Sequence, residues 1–178
     1  MSTQIAPATI ADLECHPGRC ELINGEIVEM SPSGHGQGFV SANIASALIV
    51  HVRATKQGCQ VLTNDPGFIL DDQNVRAPDV AVISFEQVKA APQRGYMRFV
   101  PRLAVEVVSP GDEWSEVKSK ARMWLNHGVA MVWVVDPRSQ TVEVYRQNAQ
   151  AVELGMTDCL DGGDVIPGFS SLVSELFI

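Results

Sequence analysis

The sequence predicts an α/β (α+β) domain in which a mixed β-sheet lies between a long helix and a shorter one. Three features carry this reading. Residues 80–84, 103–108 and 131–135 are strand-length, mostly apolar runs, as expected of strands covered on both faces. Between His35 and Thr55 the residues Val40, Ile44, Ala47, Leu48 and Val52 recur at helical spacing. A second helical stretch, about residues 113–126, separates the last two apolar runs.

In chain order, a short helix is expected around residues 9–15, with Thr9 or a neighbour as its cap, broken by Pro17-Gly18. Glu21-Leu22-Ile23 and Glu26-Ile27-Val28-Glu29-Met30 flank Asn24-Gly25, a dipeptide suited to the positive φ of a tight hairpin. The long helix follows, with Gly58 as its expected stop. Two short strands, residues 59–62 and 67–70, surround Asn64-Asp65-Pro66, and Asp71-Asp72-Gln73-Asn74 forms a turn. Residues 86–101 are polar and read as a mobile or partly helical connection. Gly128 closes the second helix, and Asp136-Pro137 ends the third apolar strand. In residues 141–146, Val142 and Val144 alternate with Glu143 and Tyr145, the pattern of a half-exposed antiparallel edge. The tail from 161 to 178 reads as a turn, then a short capped helix or docked segment.

The chain has 178 residues, 46% hydrophobic and 19% charged, which suits one domain spanning 1–178 with a real core. No apolar run is long enough to span a bilayer, and the first residues lack the basic start and apolar core of a secretory signal, so a cytoplasmic protein without membrane partners is expected. Cys15, Cys20, Cys59 and Cys159 form no C-x-x-C pair and read as packing thiols. The net charge of −8 opposes tight nucleic-acid binding. Lys89, Arg94, Arg98 and Arg102 read first as a solvated loop and second, with Lys118, Lys120 and Arg122 after them, as a local basic rim around an acidic centre, and a symmetric dimer could pool the rims of residues 94–102.

The chemistry-bearing residues start from Glu106, a carboxylate inside Leu103-Ala104-Val105-Glu106-Val107-Val108. A bare carboxylate there costs several kcal/mol unless a cation or strong donors meet it. Two partners fit: a divalent metal shared with Asp79, at the mouth of the preceding apolar strand, or the ammonium of Lys120. Two carboxylates on neighbouring strands suit Mg²⁺, and the backbone carbonyl of Val107 could add a ligand. On the second helix Val117, Ala121, Trp124 and Leu125 define the inner face, and Lys118 and Lys120 border it on opposite sides. Periodicity does not choose between the two lysines. A Ser-His-Asp hydrolase finds little support: there is no G-x-S-x-G, and His16, His35, His51 and His127 have no convincing partner in the sequence.

The order Pro78-Asp79, Glu106-Val107-Val108-Ser109-Pro110, Lys120-Ala121-Arg122-Met123-Trp124, Gly128-Val129 and Val132-Trp133-Val134-Val135-Asp136-Pro137 resembles the Uma2 family of restriction endonuclease-like proteins, in the PD-(D/E)XK nuclease superfamily. The match extends to Glu21-Leu22-Ile23-Asn24-Gly25-Glu26 with His35, and to Ile166-Pro167-Gly168-Phe169 with Glu175-Leu176-Phe177. The resemblance implies a restriction endonuclease-like mixed-sheet core flanked by helices. It implies Asp79 and Glu106 as ligands of Mg²⁺ or Mn²⁺ and Glu21 as an additional acid. The lysine, usually two residues after the acid where Val108 stands here, has moved in such chains to the following helix, a register that selects Lys120. Trp124 and Cys20 depart from the usual tyrosines at positions read as packing. His35 matches a family position without an assigned role, and with Arg98 and Arg102 it is a candidate substrate contact. The implied activity is metal-dependent hydrolysis of DNA phosphodiesters, with DNA bound transiently. The rival class is a catalytically silent domain that binds protein or nucleic acid.

Overall fold

A computed structural model describes residues 6–178. Residues 1–5, on which part of the signal-segment reading rests, lie outside the described residues. The chain begins with helix α1 (Ile10–Glu14), capped by Thr9, whose hydroxyl accepts from the Asp12 N–H while the Asp12 carboxylate accepts from the Thr9 N–H. Strands β1 (Cys20–Ile23) and β2 (Glu26–Glu29) form the expected hairpin, with φ of 52° at Asn24 and 78° at Gly25. Helix α2 (His35–Thr55) then leads to β3 (Gln60–Thr63), β4 (Phe68–Asp71), β5 (Asn74–Arg76) and β6 (Val80–Ile83). Helix α3 (Phe85–Ala90) and a loop connect to β7 (Leu103–Val107), α4 (Trp114–Asn126), β8 (Met131–Asp136), β9 (Thr141–Arg146) and β10 (Val152–Leu154). The described chain ends in the hairpin β11 (Cys159–Asp161) and β12 (Ser170–Leu172), then a 3₁₀ turn over Val173–Phe177.

The central sheet has the order β10-β9-β8-β7-β6-β3 and is antiparallel except for the β7–β8 pair, which needs α4 as its crossover. Strand alternation divides its side chains. Val80, Val82, Leu103, Val105, Trp133 and Val144 face α2, meeting Val40, Ile44 and Leu48 and the tail residues Ile166, Phe169 and Leu176. Ala81, Ile83, Ala104, Val108, Val132 and Val134 face α4, meeting Val117, Ala121 and Trp124. The expected mixed sheet between a long and a shorter helix is therefore what forms. A smaller sheet of order β2-β1-β5-β4 stands beside it, carrying the Asn24-Gly25 hairpin.

Several local expectations change. The left-handed residue that ends α2 is Lys56, two positions before Gly58. Asn74 is not only a turn residue, because β5 begins there and joins the two halves of the smaller sheet. The connection over residues 86–101 is partly helical, as expected: α3 occupies its start, capped by reciprocal Ser84 and Gln87 hydrogen bonds. The β9 strand is no edge. It pairs with β8 on one side and β10 on the other, and Glu143 and Tyr145 are buried beneath α4. Alternation alone cannot separate a solvent-facing polar row from a buried polar pair, and here the Tyr145 hydroxyl donates to Glu143, whose other oxygen meets Lys118 at 3.4 Å. The 3₁₀ turn of the tail begins at Val173, its N-cap Leu172 offers no side-chain hydrogen bond, and packing holds it instead. All four cysteines are free. Among the described residues no helix is long and apolar enough to cross a membrane.

Candidate active site

Glu106 occupies the fourth position of β7, so its side chain shares the α4 face with Ala104 and Val108. It is 6% exposed. Both oxygens have partners: Oε1 accepts from Trp124 Nε1 at 2.6 Å, and Oε2 meets Lys120 Nζ at 2.8 Å. Trp124 and Lys120 lie four residues apart on α4, one turn of helix, and so reach the same carboxylate. The Trp124 role was hidden in the sequence, where an inner-face tryptophan reads as packing. Its signal was general: a buried indole N–H requires an acceptor, and Glu106 needs a donor.

The choice between the lysines is made by α4's rotation on the sheet. Glu106, Val134 and Glu143 stand in register across β7, β8 and β9. Lys118 turns toward Glu143, over the Trp114 ring, and Lys120 turns toward Glu106.

Asp79 precedes β6, whose antiparallel pairing brings it to the end of β7. Its Oδ2 accepts from the Val107 N–H at 2.7 Å and its Oδ1 from Gln37 Nε2 at 2.9 Å. Gln37 comes from the first turn of α2, and its own Oε1 accepts from Ser109 Oγ at 2.7 Å. The sequence reading missed Gln37 and Ser109, and no spacing rule would have joined them to Asp79. Val107 thus contributes its N–H to this corner.

Asp79, Glu106, Lys120 and Glu21 line one open cleft of about 630 Å³ between the ends of the two sheets. Glu21 is held differently: Oε1 accepts from the Ala77 N–H at 2.7 Å, and Oε2 lies 3.1 Å from Arg76 Nε. The basic rim expected around the acids does not form here. Of Lys89, Arg94, Arg98, Arg102, Lys118, Lys120 and Arg122, only Lys120 lines the cleft, whose wall instead adds Glu29, Asp65, Asp112 and Glu116. Arg98 is exposed outside it, and Arg102, at the opposite end of β7 from Glu106, donates to the Asp164 carbonyl. His35 starts α2, stacked on Phe39, and also stays off the cleft wall.

Burial raises both central carboxyl groups. For Glu106, desolvation outweighs the Lys120 ammonium, and the nearby Asp79 charge adds to the rise, taking its pKa to about 7. For Asp79, desolvation exceeds the help from the Val107 N–H, Lys120 and Gln37. Burial opposes the Lys120 charge, but the Glu106 and Glu21 carboxylates raise its pKa, so it remains an ammonium at neutral pH.

Among the described residues no group of three or more His, Cys, Asp or Glu side chains forms a metal cage. Two carboxylates in one open cleft nevertheless suit Mg²⁺ or Mn²⁺, hard ions that take one or two carboxylates and keep several waters. Each oxygen of Asp79 and Glu106 has one hydrogen-bonding or ion-pair partner and retains acceptor capacity, so the donor set fits such an ion.

The family model matching residues 9–176 is that of Uma2, described as "Putative restriction endonuclease". The chain belongs to the Uma2 family. The crystal structure of a "putative nuclease belonging to DUF820" from Anabaena variabilis ATCC 29413 is similar to this Uma2 chain, with a TM-score of 0.82 and 19% sequence identity over 96% of this chain and 98% of that one. That likeness establishes the fold, the restriction endonuclease-like mixed sheet flanked by helices. No curated protein matches this Uma2 chain.

One expected result follows from the Glu106 environment. Its folded pKa lies above the ordinary 4.5, so the stability that its protonation contributes is fully present below about pH 4.5 and is lost as pH rises to about 7. By linkage the loss is on the order of 3 kcal/mol. Thermal denaturation in EDTA should show this decline in the wild type and a flatter profile in Glu106→Gln. Parallel profiles for the two proteins would contradict it.

Proposed function

We propose that the cleft hydrolyses DNA phosphodiester bonds with the assistance of Mg²⁺ or Mn²⁺ held by Asp79 and Glu106. The observation that carries this reading is the convergence of the buried Glu106 carboxylate, the half-buried Asp79 carboxylate and the Lys120 ammonium, from β7, the residue before β6, and α4, in an open cleft. A divalent ion bound there supplies Lewis acidity and neutralises charge on the phosphoryl oxygens. Lys120 is protonated and anchored on Glu106, so it serves as an electrostatic stabiliser and water-orienting donor rather than a general base. Gln37 and the Val107 N–H hold Asp79 in place from two sides. Trp124 orients Glu106 and closes the apolar side of the site to water. The Uma2 description and the nuclease title of the similar structure support this reading.

The complete pairing of Glu106 with Lys120 and Trp124, together with the acid-rich wall, favours the second reading, a silent domain that binds a partner. Incubating the protein with supercoiled plasmid and with single-stranded DNA in Mg²⁺, Mn²⁺ or EDTA separates the two. Cleavage in the metals alone, lost in Asp79→Asn and Glu106→Ala, is the expected result. Cleavage that survives in both variants would remove this site, and none on any DNA would leave the binding module.

A further inference from the structure

Arg76 is the second cation of the cleft wall and has no assigned role in the reading above. It lies on β5, an interior strand of the smaller sheet, and its side chain is only 13% exposed. The register that pairs Leu22 with Val75 sets Glu21 opposite Arg76. A buried arginine facing a glutamate commonly forms a two-pronged pair using both carboxylate oxygens. That pairing does not form here: Glu21 Oε1 accepts from the Ala77 N–H, and the ion-pair contact with Arg76 runs from Nε to the other oxygen. The remaining oxygen lies 3.1 Å from Arg76 Nε but off the N–H axis, and this buried nitrogen has no aligned acceptor among the described residues. The guanidinium is therefore charged, held at one side, and left with donors to spare on a cleft wall.

Its neighbour sharpens the point. Arg76 is close enough to Lys120 for its positive charge to work against the Lys120 ammonium. Two cations facing the same space are stabilised when an anion enters between them. Glu21, with both oxygens engaged by Ala77 and Arg76, has the geometry of an anchor for the guanidinium.

We propose that Arg76 binds a backbone phosphate of a polynucleotide through its planar fork, with Glu21 as its positioning residue. The assignment deepens the phosphodiester reading and rests on it for the substrate class. A guanidinium matches two non-bridging phosphate oxygens, a geometry that an ammonium cannot reproduce. It also supplies positive charge on a wall otherwise rich in carboxylates.

The test is fluorescence anisotropy of a labelled duplex oligonucleotide in Ca²⁺ and, separately, in EDTA, across a range of salt concentrations. Arg76→Lys keeps the charge and should weaken binding about tenfold with little change in salt dependence. The double variant Glu21→Gln/Arg76→Met removes both members of the pair, so no buried charge is stranded. It should weaken binding at least about tenfold and lower the slope of log affinity against log salt by about one. Calorimetric titration with Mn²⁺ alone should be unchanged in Arg76→Lys, which leaves every carboxylate of the cleft in place and so distinguishes a phosphate ligand from a metal ligand. Unchanged affinity and slope in the double variant, or no oligonucleotide binding by the wild type, would overturn the assignment. Wild-type binding without cleavage in any metal would instead overturn hydrolysis while leaving Arg76 to be judged on the binding data.

Discussion

On the proposed hydrolytic reading, replacing Lys120 with methionine is expected to lower plasmid cleavage at least about 100-fold, the scale for removing one preorganised stabilising donor from a charged transition state. Methionine keeps much of the aliphatic stem, so the loss is one of charge. The cost in stability depends on pH, and the dependence identifies the cause. At pH 5 Glu106 is already protonated in the fold, since burial holds its pKa near 7, and losing the ammonium is felt little. At pH 8 the wild type keeps an ionised Glu106 2.8 Å from Lys120, and the variant must either bury that charge alone or protonate it. The variant's folded pKa at Glu106 is therefore higher still, and its stability falls further between pH 5 and pH 8 than that of the wild type. Urea denaturation at the two pH values measures this directly. An equal cost at both would mean that Lys120 and Glu106 are not coupled.

The second large effect lies at Trp124. It is fully buried, edge-on to Phe68 with ring centroids 6.2 Å apart, and it holds Glu106 Oε1 through its indole N–H. Trp124→Phe keeps most of the apolar volume but leaves that oxygen without its donor, a loss of about 1–3 kcal/mol. Trp124→Ala adds a cavity between α4 and the sheet and costs about 3–5 kcal/mol, a large share of the roughly 5–15 kcal/mol that holds a typical domain together. The two substitutions also separate packing from positioning. If the N–H orients Glu106 for metal binding, Trp124→Phe reduces Mn²⁺ affinity about 10- to 100-fold while the protein remains folded. Unaltered Mn²⁺ titration in a folded Trp124→Phe protein would reduce the tryptophan to a packing residue.

The acid-rich cleft changes how the negative net charge should be understood. The sequence offered arginines near position 100 as a compensating rim, but Arg98 is exposed outside the cleft and Arg102 is turned to the Asp164 carbonyl. The cations that line the cleft are Lys120 and Arg76. Charge runs along a chain say little about charge around a site, because the loop joining α3 to β7 leads to the start of β7, whereas Glu106 lies toward its end.

Much of the fold was legible in local pattern. Apolar runs of strand length, the helical spacing from Val40 to Val52, the Asn24-Gly25 turn and the capping signal at Thr9 depend on neighbours a few residues away, and each appears where expected. The β9 strand defeated the same reasoning, because whether Glu143 and Tyr145 meet water or a helix depends on α4, which the alternation of β9 does not encode.

The amino-acid order by itself determined that Glu106 sits in an apolar strand and therefore requires a partner, that Asp79 opens the strand before it, and that two lysines border the inner face of the following helix. Periodicity left the lysine open and the family register selected Lys120, which the structure places on Glu106; only the tertiary structure decided that Trp124 shares the task, that Gln37 and Ser109 brace Asp79, and that Arg76 joins the cleft. The reason is physical: periodicity sets the direction of a side chain relative to its own backbone, whereas a contact between elements depends on strand register and on the rotation of a helix packed against the sheet.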